Sequence, residues 1–262
     1  MGTRAIRLVI DDGLARLTMC QPERGNPIDE AFAAEFRHAA ECCYRNPDVR
    51  AVLLDAEGRY FSVGGDLKLL ARDRNALPPS VTRMLKDLCY GIELFARGDA
   101  PVVASVHATT AGGTVGLVSG CDLVYAAPDA TFASAFSTIG LCPDSGASFF
   151  LTRRVGARLA KEFFLLGEVW DAETARANGL VNRVVPAAEL ASTAEAVAKR
   201  LATGPTLGYG ETRRLIDGSM HNSLTEQLAA EAAAIGRLIT TEDAWDGITA
   251  LVEKRRPRFG GR

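Results

Sequence analysis

The chain has 262 residues, of which 47% are hydrophobic and 24% are charged, so it can bury a sizeable core and is neither a disordered nor a collagen-like protein. Its formal net charge is −2, which gives no basis for binding nucleic acid or a membrane surface. No stretch approaches the roughly 20 apolar residues that span a bilayer, and the first residues lack the apolar segment of a signal peptide. We therefore expect neither a nucleic-acid nor a membrane partner.

The cysteine and histidine content argues against a metal site. The six cysteines form no CxxC pair, and the chain has only three histidines. Several cysteines lie in apolar runs, where a reduced, buried thiol is the usual interpretation. This pattern predicts a cytoplasmic protein without a bound metal.

The first part of the chain is predicted to form a β-hairpin, a helix and a buried strand. Residues 5–10 and 14–19 are short β-branched runs joined by Asp-Asp-Gly, a typical hairpin turn. Asp29 is placed to cap a helix that continues to about Asn46. The buried strand, residues 51–55, then leads into a glycine-rich turn.

The middle of the chain alternates between helix and strand, which is typical of parallel-sheet crossover units. From residue 144 onward helical patterns dominate, with one further strand before a helical tail. No linker divides the sequence, so we predict one domain over 1–262, with a core to about 190 and a helical region over about 191–262. The predicted elements are helix 81–97, strand 102–106, a helix opened by residues 111–113, strand 122–126, helix 171–178, strand 181–185, helices 188–202 and 205–216, and helix after 221.

Two strands end in a glycine pair that leads into a helix, Gly64-Gly65 and Gly112-Gly113. Glycine permits positive φ and close approach of a ligand to the backbone, and the first N–H groups of a helix have no intrahelical partner. Two such groups that converge on one point form an oxyanion hole. Each pair alone favours an ordinary turn, and the spacing excludes a dinucleotide-binding loop and a P-loop.

The segment Phe61-Ser-Val-Gly-Gly-Asp-Leu67 resembles the F-S/A-x-G-x-D-L/I segment of the crotonase (enoyl-CoA hydratase/isomerase) family. Further similarities follow in the family's order over nearly the whole chain. The resemblance implies an α/β fold, a spiral of ββα units with a C-terminal helical region, in a homotrimer or homohexamer. It also implies an enzyme that stabilises the enolate of an acyl-CoA thioester, with coenzyme A as part of the substrate and no separate cofactor. The other similar segments are 105–113, 121–126, 136–146, 175–186 and 251–259.

The resemblance also implies roles for individual residues. The backbone N–H groups of Gly65 and Gly113 would hold the thioester oxygen. Glu23 stands where some members have a CoA-binding lysine, although Arg24 beside it could substitute. Leu251 stands where some members have an aromatic residue. An exposed helix lysine is the alternative interpretation of Lys254. The residues expected along CoA and the substrate are Arg24, Gly64, Asp66, Leu67, Gly112, Phe136 and Lys254.

The acid–base residues distinguish the possible reactions. Hydratases of this family use two glutamates, and the matching positions here are Gly116 and Phe136, which cannot titrate. Asp144 matches the acidic residue of double-bond isomerases, including the phenylacetate-degradation type, and a single carboxylate suits a 1,3-shift of a proton. Two alternatives stay open: Asp144 could cap a helix over 145–151, and His107 is a weaker candidate for the base.

Three functions are compatible with this sequence. The leading hypothesis is an enoyl-CoA isomerase in which Asp144 shuttles a proton. The second is another enolate reaction of the same family, such as hydrolysis, decarboxylation or a non-classical hydration. The third is a non-catalytic scaffold that binds acyl-CoA.

Overall fold

A computed structural model describes residues 4–75 and 77–262. These residues form nine strands and eleven helices. The strands are β1 (Ile6–Asp11), β2 (Leu14–Met19), β3 (Ala51–Ala56), β4 (Val102–Val106), β5 (Thr110–Ala111), β6 (Leu123–Ala126), β7 (Thr131–Ala133), β8 (Val169–Asp171) and β9 (Arg183–Val184). The helices are α1 (Glu30–Arg45), α2 (Leu67–Leu70), α3 (Leu77–Arg97), α4 (Gly113–Gly120), α5 (Ala147–Val155), α6 (Ala157–Leu166), α7 (Ala172–Ala177), α8 (Ala187–Ala202), α9 (Thr206–Gly218), α10 (Leu224–Leu238) and α11 (Glu242–Val252).

The described strands form two sheets that run side by side. The larger sheet has the order β1-β2-β3-β4-β6-β9, and every pair in it is parallel except the β1–β2 hairpin. The smaller sheet has the order β5-β7-β8. Each repeat therefore gives one strand to the large sheet, one to the small sheet, and then a helix, as in β4-β5-α4 and β6-β7-α5. This is the predicted spiral of ββα units.

The central strands are apolar on both faces because helices cover both sides of the large sheet. Along β3, Val52 and Leu54 pack in the main core with α1 and α3. Leu53 points the other way and packs with α8 through Leu190 and Ala194. A parallel strand buried on both faces reads as a continuous apolar run, so this strand could be predicted from sequence.

The predicted helix boundaries were correct where a capping side chain marks them. Asp29 accepts a hydrogen bond from the Phe32 N–H and caps α1, as expected. By contrast, α3 begins at Leu77, before its predicted start at residue 81. Pro78 and Pro79 explain the difference, because proline is tolerated in the first turn of a helix, where N–H groups have no intrahelical acceptor.

The chain ends in a region held together by one buried carboxylate. Asp243 accepts hydrogen bonds from the N–H groups of Gly260 and Gly261 at 2.5 and 2.9 Å. Arg50, directly before β3, donates to the Phe259 carbonyl oxygen at 2.8 Å. The tail thus lies at the amino end of β3. The last two helices and the turn between them expose apolar residues, namely Leu224, Leu228, Ile235, Ile239, Trp245, Ile248, Leu251 and Val252. Of the described helices, none is both long and apolar enough to cross a membrane.

Candidate active site

The two glycine turns lie next to each other because their strands occupy successive layers of the spiral. Ser62 and Thr110 form a parallel bridge between the turn after β3 and strand β5. Both glycine pairs stand two and three residues beyond their bridging residue, so they remain in register. An added Cβ at Gly64, where φ is +79°, would lie 2.7 Å from the Ala111 carbonyl oxygen. Glycine is therefore required at this position both by conformation and by space.

A buried hydroxyl pair joins the two turns. Ser62 Oγ accepts hydrogen bonds from the Gly64 N–H at 3.1 Å and from Thr114 Oγ1 at 2.7 Å, and it donates to the Asn26 carbonyl oxygen at 2.7 Å. Both hydroxyl-bearing side chains are fully buried. This link between the first turn and the start of α4 was not apparent from the sequence.

The Gly65 N–H is directed away from the neighbouring backbone. Ile28 donates to the Gly64 carbonyl oxygen at 2.8 Å, and Asp66 donates to the Ile28 carbonyl oxygen at 3.1 Å. In this parallel bridge the polar backbone groups of Gly65 point to the opposite side. No acceptor for its N–H lies among residues 4–75 and 77–262. The Gly65 N–H is therefore available to donate a hydrogen bond to a ligand.

The second donor stands at the start of a buried helix. Gly112, with φ of +56°, is the N-cap of α4, and Gly113 is the first helical residue. The first N–H groups of a helix have no intrahelical acceptor and carry partial positive charge. Within the described residues the Gly113 N–H, like that of Gly65, has no acceptor. Among the described residues, the N–H groups of Gly65 and Gly113 are therefore both unpaired, as the predicted oxyanion hole requires.

Asp144 lies directly against this helix start. An added Cβ at Gly113 would be 2.8 Å from Asp144 Oδ1 and 2.8 Å from Ser145 Oγ. Only a residue without a side chain lets the carboxylate approach so closely. The predicted acid–base residue and the predicted oxyanion donor are thus brought together, although they are separated by 31 positions in the sequence.

The alternative interpretation of Asp144 as a helix cap was wrong. Helix α5 begins at Ala147, its N-cap is Gly146, and no side chain caps it. Ser145 and Gly146 both have positive φ, 52° and 77°, and the Ala147 N–H donates to the Asp144 carbonyl oxygen at 2.8 Å. This tight turn directs the Asp144 side chain to the cavity instead of to the helix.

Burial raises the pKa of the Asp144 carboxyl, because the charged form loses hydration in an apolar site. The Ser145 hydroxyl, which donates to Oδ1 at 2.9 Å, lowers the pKa and so opposes this effect. A carboxylate with a raised pKa is a stronger base, and therefore a better acceptor of a substrate proton, than an ordinary aspartate.

Asp144 and both donors line one cavity of about 420 Å³. Of the described residues around it, Asp144 is the only one with a titratable side chain. Phe136, predicted as a wall, lines it too. The first half of α3, which sequence reasoning did not assign to the site, supplies much of the opposite wall. The apolar lining includes Ile28, Leu70, Leu77, Val81, Met84, Leu85, Ile139 and Leu141.

Gly116 and Phe136, the two positions predicted to match the glutamates of hydratases, have no room for an acid or a base. An added Cβ at Gly116 would be 2.5 Å from the Ser145 carbonyl oxygen and 2.9 Å from the Ala147 nitrogen. Backbone therefore excludes any side chain at this position. Phe136 is buried and packs edge-to-face on Phe164. Neither position can hold an acid or a base.

A polar groove of about 380 Å³ adjoins the cavity and shares Val63, Gly65 and Leu67 with it. Arg24 and Asp66, both predicted to meet CoA, line this groove, but they bind each other at 2.6 Å. Arg24 also donates to Asp29 at 2.8 Å. Hydrogen bonding to these two carboxylates raises the pKa of the Arg24 guanidinium. Its charge is thus already compensated, which weakens it as a phosphate ligand.

Lys68 is a basic residue of the groove that sequence reasoning missed. It lies in α2, two residues beyond Asp66, and the described part of the chain offers it no ion pair. The signal was present, since Lys68 directly follows the segment that resembles the family motif. Unlike Arg24, it is available to an anionic ligand.

Two residues that were candidates for the site, Lys254 for CoA binding and His107 for the base, lie apart from the cavity. Lys254 follows α11 and is exposed, and it lines neither the cavity nor the groove of its own chain. His107 Nε2 forms a hydrogen bond with the Gly58 carbonyl oxygen at 2.8 Å and does not line the cavity. His107 therefore has a structural partner and lies outside the lining of the cavity. Among the residues that the structure describes, no cluster of His, Cys, Asp or Glu could hold a metal.

Residues 9–262 match the family described as enoyl-CoA hydratase/isomerase, so the chain belongs to this family, whose members act on acyl-CoA thioesters. The 1,2-epoxyphenylacetyl-CoA isomerase of Escherichia coli K12 is 34% identical over 97% of both chains. The trans-2-decenoyl-(acyl-carrier-protein) isomerase of Streptococcus mutans is 30% identical over the full length of both. An enoyl-CoA hydratase of Polaromonas sp. JS666 has a crystal structure with a TM-score of 0.91, at 30% identity, covering 97% of this chain and 99% of that one. The predicted crotonase fold is confirmed.

Proposed function

We propose that this chain is an enoyl-CoA double-bond isomerase in which Asp144 carries the proton. The observation that supports it most strongly is that Asp144 is the only titratable side chain among the described residues around the cavity. It lies against Gly113, whose N–H is available to the thioester oxygen. One carboxylate beside one oxyanion hole suits a reaction that moves a proton within the substrate and does not add water to it.

The proposed reaction balances with these groups alone. The Asp144 carboxylate takes a proton from C2 of a 3-enoyl thioester, and the electron pair moves onto the thioester oxygen, which the Gly65 and Gly113 N–H groups stabilise. The resulting dienolate then takes the same proton at C4 from the Asp144 carboxylic acid. The double bond moves from C3–C4 to C2–C3, and Asp144 returns to its starting state.

The lining of the cavity indicates an apolar acyl group. Apart from Asp144 and Ser145, the polar side chains around it are those of Thr82 and Thr138, within the described residues. No basic side chain is present there to pair with a second carboxylate. A buried charge without a partner would be strongly unfavourable, so dicarboxylic acyl groups are poor candidates.

A substrate panel tests the proposed function against its rivals. The protein is incubated separately with 3-enoyl-, 2-enoyl- and dienoyl-CoA esters, and ultraviolet absorbance and product mass are followed. We expect the double bond to move at constant mass, with negligible addition of water to the 2-enoyl ester. Rapid hydration would contradict the proposal, as would release of free CoA or loss of carbon dioxide as the main reaction. Binding without turnover would favour the scaffold.

We expect Lys68 to contribute more than Arg24 to binding of the CoA phosphates. Lys68→Ala should weaken acyl-CoA binding roughly two- to fivefold, the usual range for an exposed ionic contact, and should reduce its salt dependence. Titration calorimetry at two salt concentrations measures both effects. Lys161→Ala, an exposed lysine on α6, is the matched control and should bind as the parent protein does. Equal affinities for the parent and Lys68→Ala proteins would exclude this contact.

The homotrimer or homohexamer stays a prediction. It is supported by the apolar residues exposed on α10 and α11, which an interface between chains would cover. Lys254 lies two residues beyond the end of α11, so in such an assembly it would stand close to a neighbouring chain.

A further inference from the structure

We infer that Ser145 is the residue that positions Asp144 for proton transfer, an inference that rests on the proposed isomerase function. Its Oγ donates a hydrogen bond to Asp144 Oδ1 at 2.9 Å. The side chain is 2% exposed, so water does not compete freely for this bond. With Oδ1 held by Ser145, the second oxygen, Oδ2, is the one left to exchange a proton with the substrate.

The backbone of Ser145 is held in an uncommon conformation. Its φ is +52°, a region that residues other than glycine, asparagine and aspartate rarely adopt. The turn is closed by the Ala147 N–H, which donates to the Asp144 carbonyl oxygen, and Gly146 follows with φ of +77°. Positive φ at a non-glycine residue persists only where the surrounding contacts impose it, and such residues cluster at functional sites.

Those contacts come from α4, the helix that carries the oxyanion donor. The Ser145 carbonyl oxygen occupies the space that a Cβ at Gly116 would need, and Ser145 Oγ occupies the space beside Gly113. The turn and the helix thus touch backbone to backbone at Gly116, while the side chains of Asp144 and Ser145 lie against the backbone of Gly113. The backbone contact at Gly116 fixes the turn against α4 and so holds Asp144 next to Gly113.

Few other groups can set the ionisation of Asp144. From α3 the titratable neighbour is Cys89, whose pKa is raised by burial and by the Asp144 carboxylate. Helix α4 and residues 135–141 contain no titratable side chain. The Ser145 hydroxyl is therefore the polar side chain that directly stabilises the Asp144 carboxylate against the effect of burial.

Removing the hydroxyl should slow turnover and shift its pH dependence. For Ser145→Ala we expect kcat for 3-enoyl-CoA to fall roughly tenfold to a hundredfold, as for a lost hydrogen bond to a charged group. KM should change less, because the oxyanion donors and the groove are intact. Since the hydroxyl lowers the pKa of Asp144, the acid limb of the kcat profile should move to higher pH. Ser192→Ala, an exposed serine on α8, is the control for turnover.

Two further variants separate the hydroxyl from the backbone and from Asp144 itself. Ser145→Gly tolerates positive φ but lacks the hydroxyl, so it should lose as much turnover as Ser145→Ala. In an Asp144→Asn background, Ser145→Ala should have little further effect, because a positioning residue acts only through the group it positions. Melting temperatures show whether each variant is folded.

The outcomes distinguish this inference from the proposed function. If Ser145→Gly keeps the parent kcat and pH profile, the hydroxyl positions nothing and the inference is overturned, while the isomerase function stands. The same holds if Ser145→Ala costs equal factors in both backgrounds, which would mark a general structural role. If Asp144→Asn keeps isomerase turnover, the proposed function and this inference are both overturned.

Discussion

We expect Asp144→Asn to lower isomerase turnover by about a hundredfold to ten-thousandfold, the usual contribution of general acid–base catalysis. The amide keeps the shape of the side chain and an oxygen that can accept the Ser145 hydrogen bond, but it cannot take up a proton. Binding of acyl-CoA should survive, because the oxyanion donors are backbone N–H groups. The measurements are kcat with 3-enoyl-CoA and calorimetric affinity for a non-reactive acyl-CoA.

The pH dependence gives this prediction a second readout. Asp144 must begin the cycle as a carboxylate, so turnover should fall as pH decreases through its pKa. Burial raises that pKa, so the acid limb should lie above the range of an ordinary aspartate. The residual activity of Asp144→Asn should lack this limb. Asp129→Asn, an exposed aspartate, is the matched control and should show the parent profile.

The raised pKa of Asp144 also affects the stability of the folded protein, and there the charged carboxylate is unfavourable. A carboxyl whose pKa is higher in the folded than in the unfolded state makes the folded protein bind more protons, so stability falls as pH rises between the two pKa values. Above the raised pKa the full penalty is present, and Asp144→Asn should remove it. We expect Asp144→Asn to melt at an equal or higher temperature than the parent at neutral pH, with the difference vanishing in acid.

For catalysis the deciding result is turnover: an Asp144→Asn protein with normal isomerase turnover would contradict the role of Asp144.

The central strands of the large sheet could be predicted from sequence because they are buried on both faces, whereas the short strands β5, β7 and β8 were not predicted. β4, for example, is apolar at every residue except Ser105, and its bounds were correct. The start of α5 was wrong for a physical reason. Asp144-Ser-Gly has the composition of a helix cap, but positive φ at Ser145 and Gly146 delays the helix and redirects the carboxylate.

The site was predictable where it depends on backbone and less so where it depends on distant side chains. The glycine pairs could be recognised because the first glycine of each pair, Gly64 and Gly112, has positive φ. The pairing of Arg24 with Asp66 could not, since 42 positions separate them and either residue alone is compatible with a CoA ligand. Likewise, the α3 wall of the cavity is an ordinary amphipathic helix in sequence, and only its packing shows which residues meet the substrate.

The second large effect is expected from Gly113→Ala, which should lower turnover at least a hundredfold, because it disturbs the oxyanion donor and Asp144 together. The new Cβ would lie 2.8 Å from Asp144 Oδ1, 2.8 Å from Ser145 Oγ and 3.2 Å from Ile28 Cδ1. Something must move, and the Asp144–Ser145 turn is the nearest group. Alanine gains up to about 1 kcal/mol over glycine in a helix, but overpacking costs typically about 1–3 kcal/mol. We therefore expect a melting temperature near or below that of the parent.

Gly65→Ala is the matched comparison, because it adds the same methyl group at the other donor. There the new Cβ would meet only Leu70 Cδ1, at 3.7 Å, which is an ordinary contact. The Gly65 N–H is retained and Asp144 is not displaced, so the loss of turnover should be much smaller than for Gly113→Ala. Parallel measurement of kcat, melting temperature and acyl-CoA affinity on both variants tests this difference. Equal losses would mean that contact between α4 and the Asp144 turn does not set the catalytic geometry, and that the two glycines act only as hydrogen-bond donors.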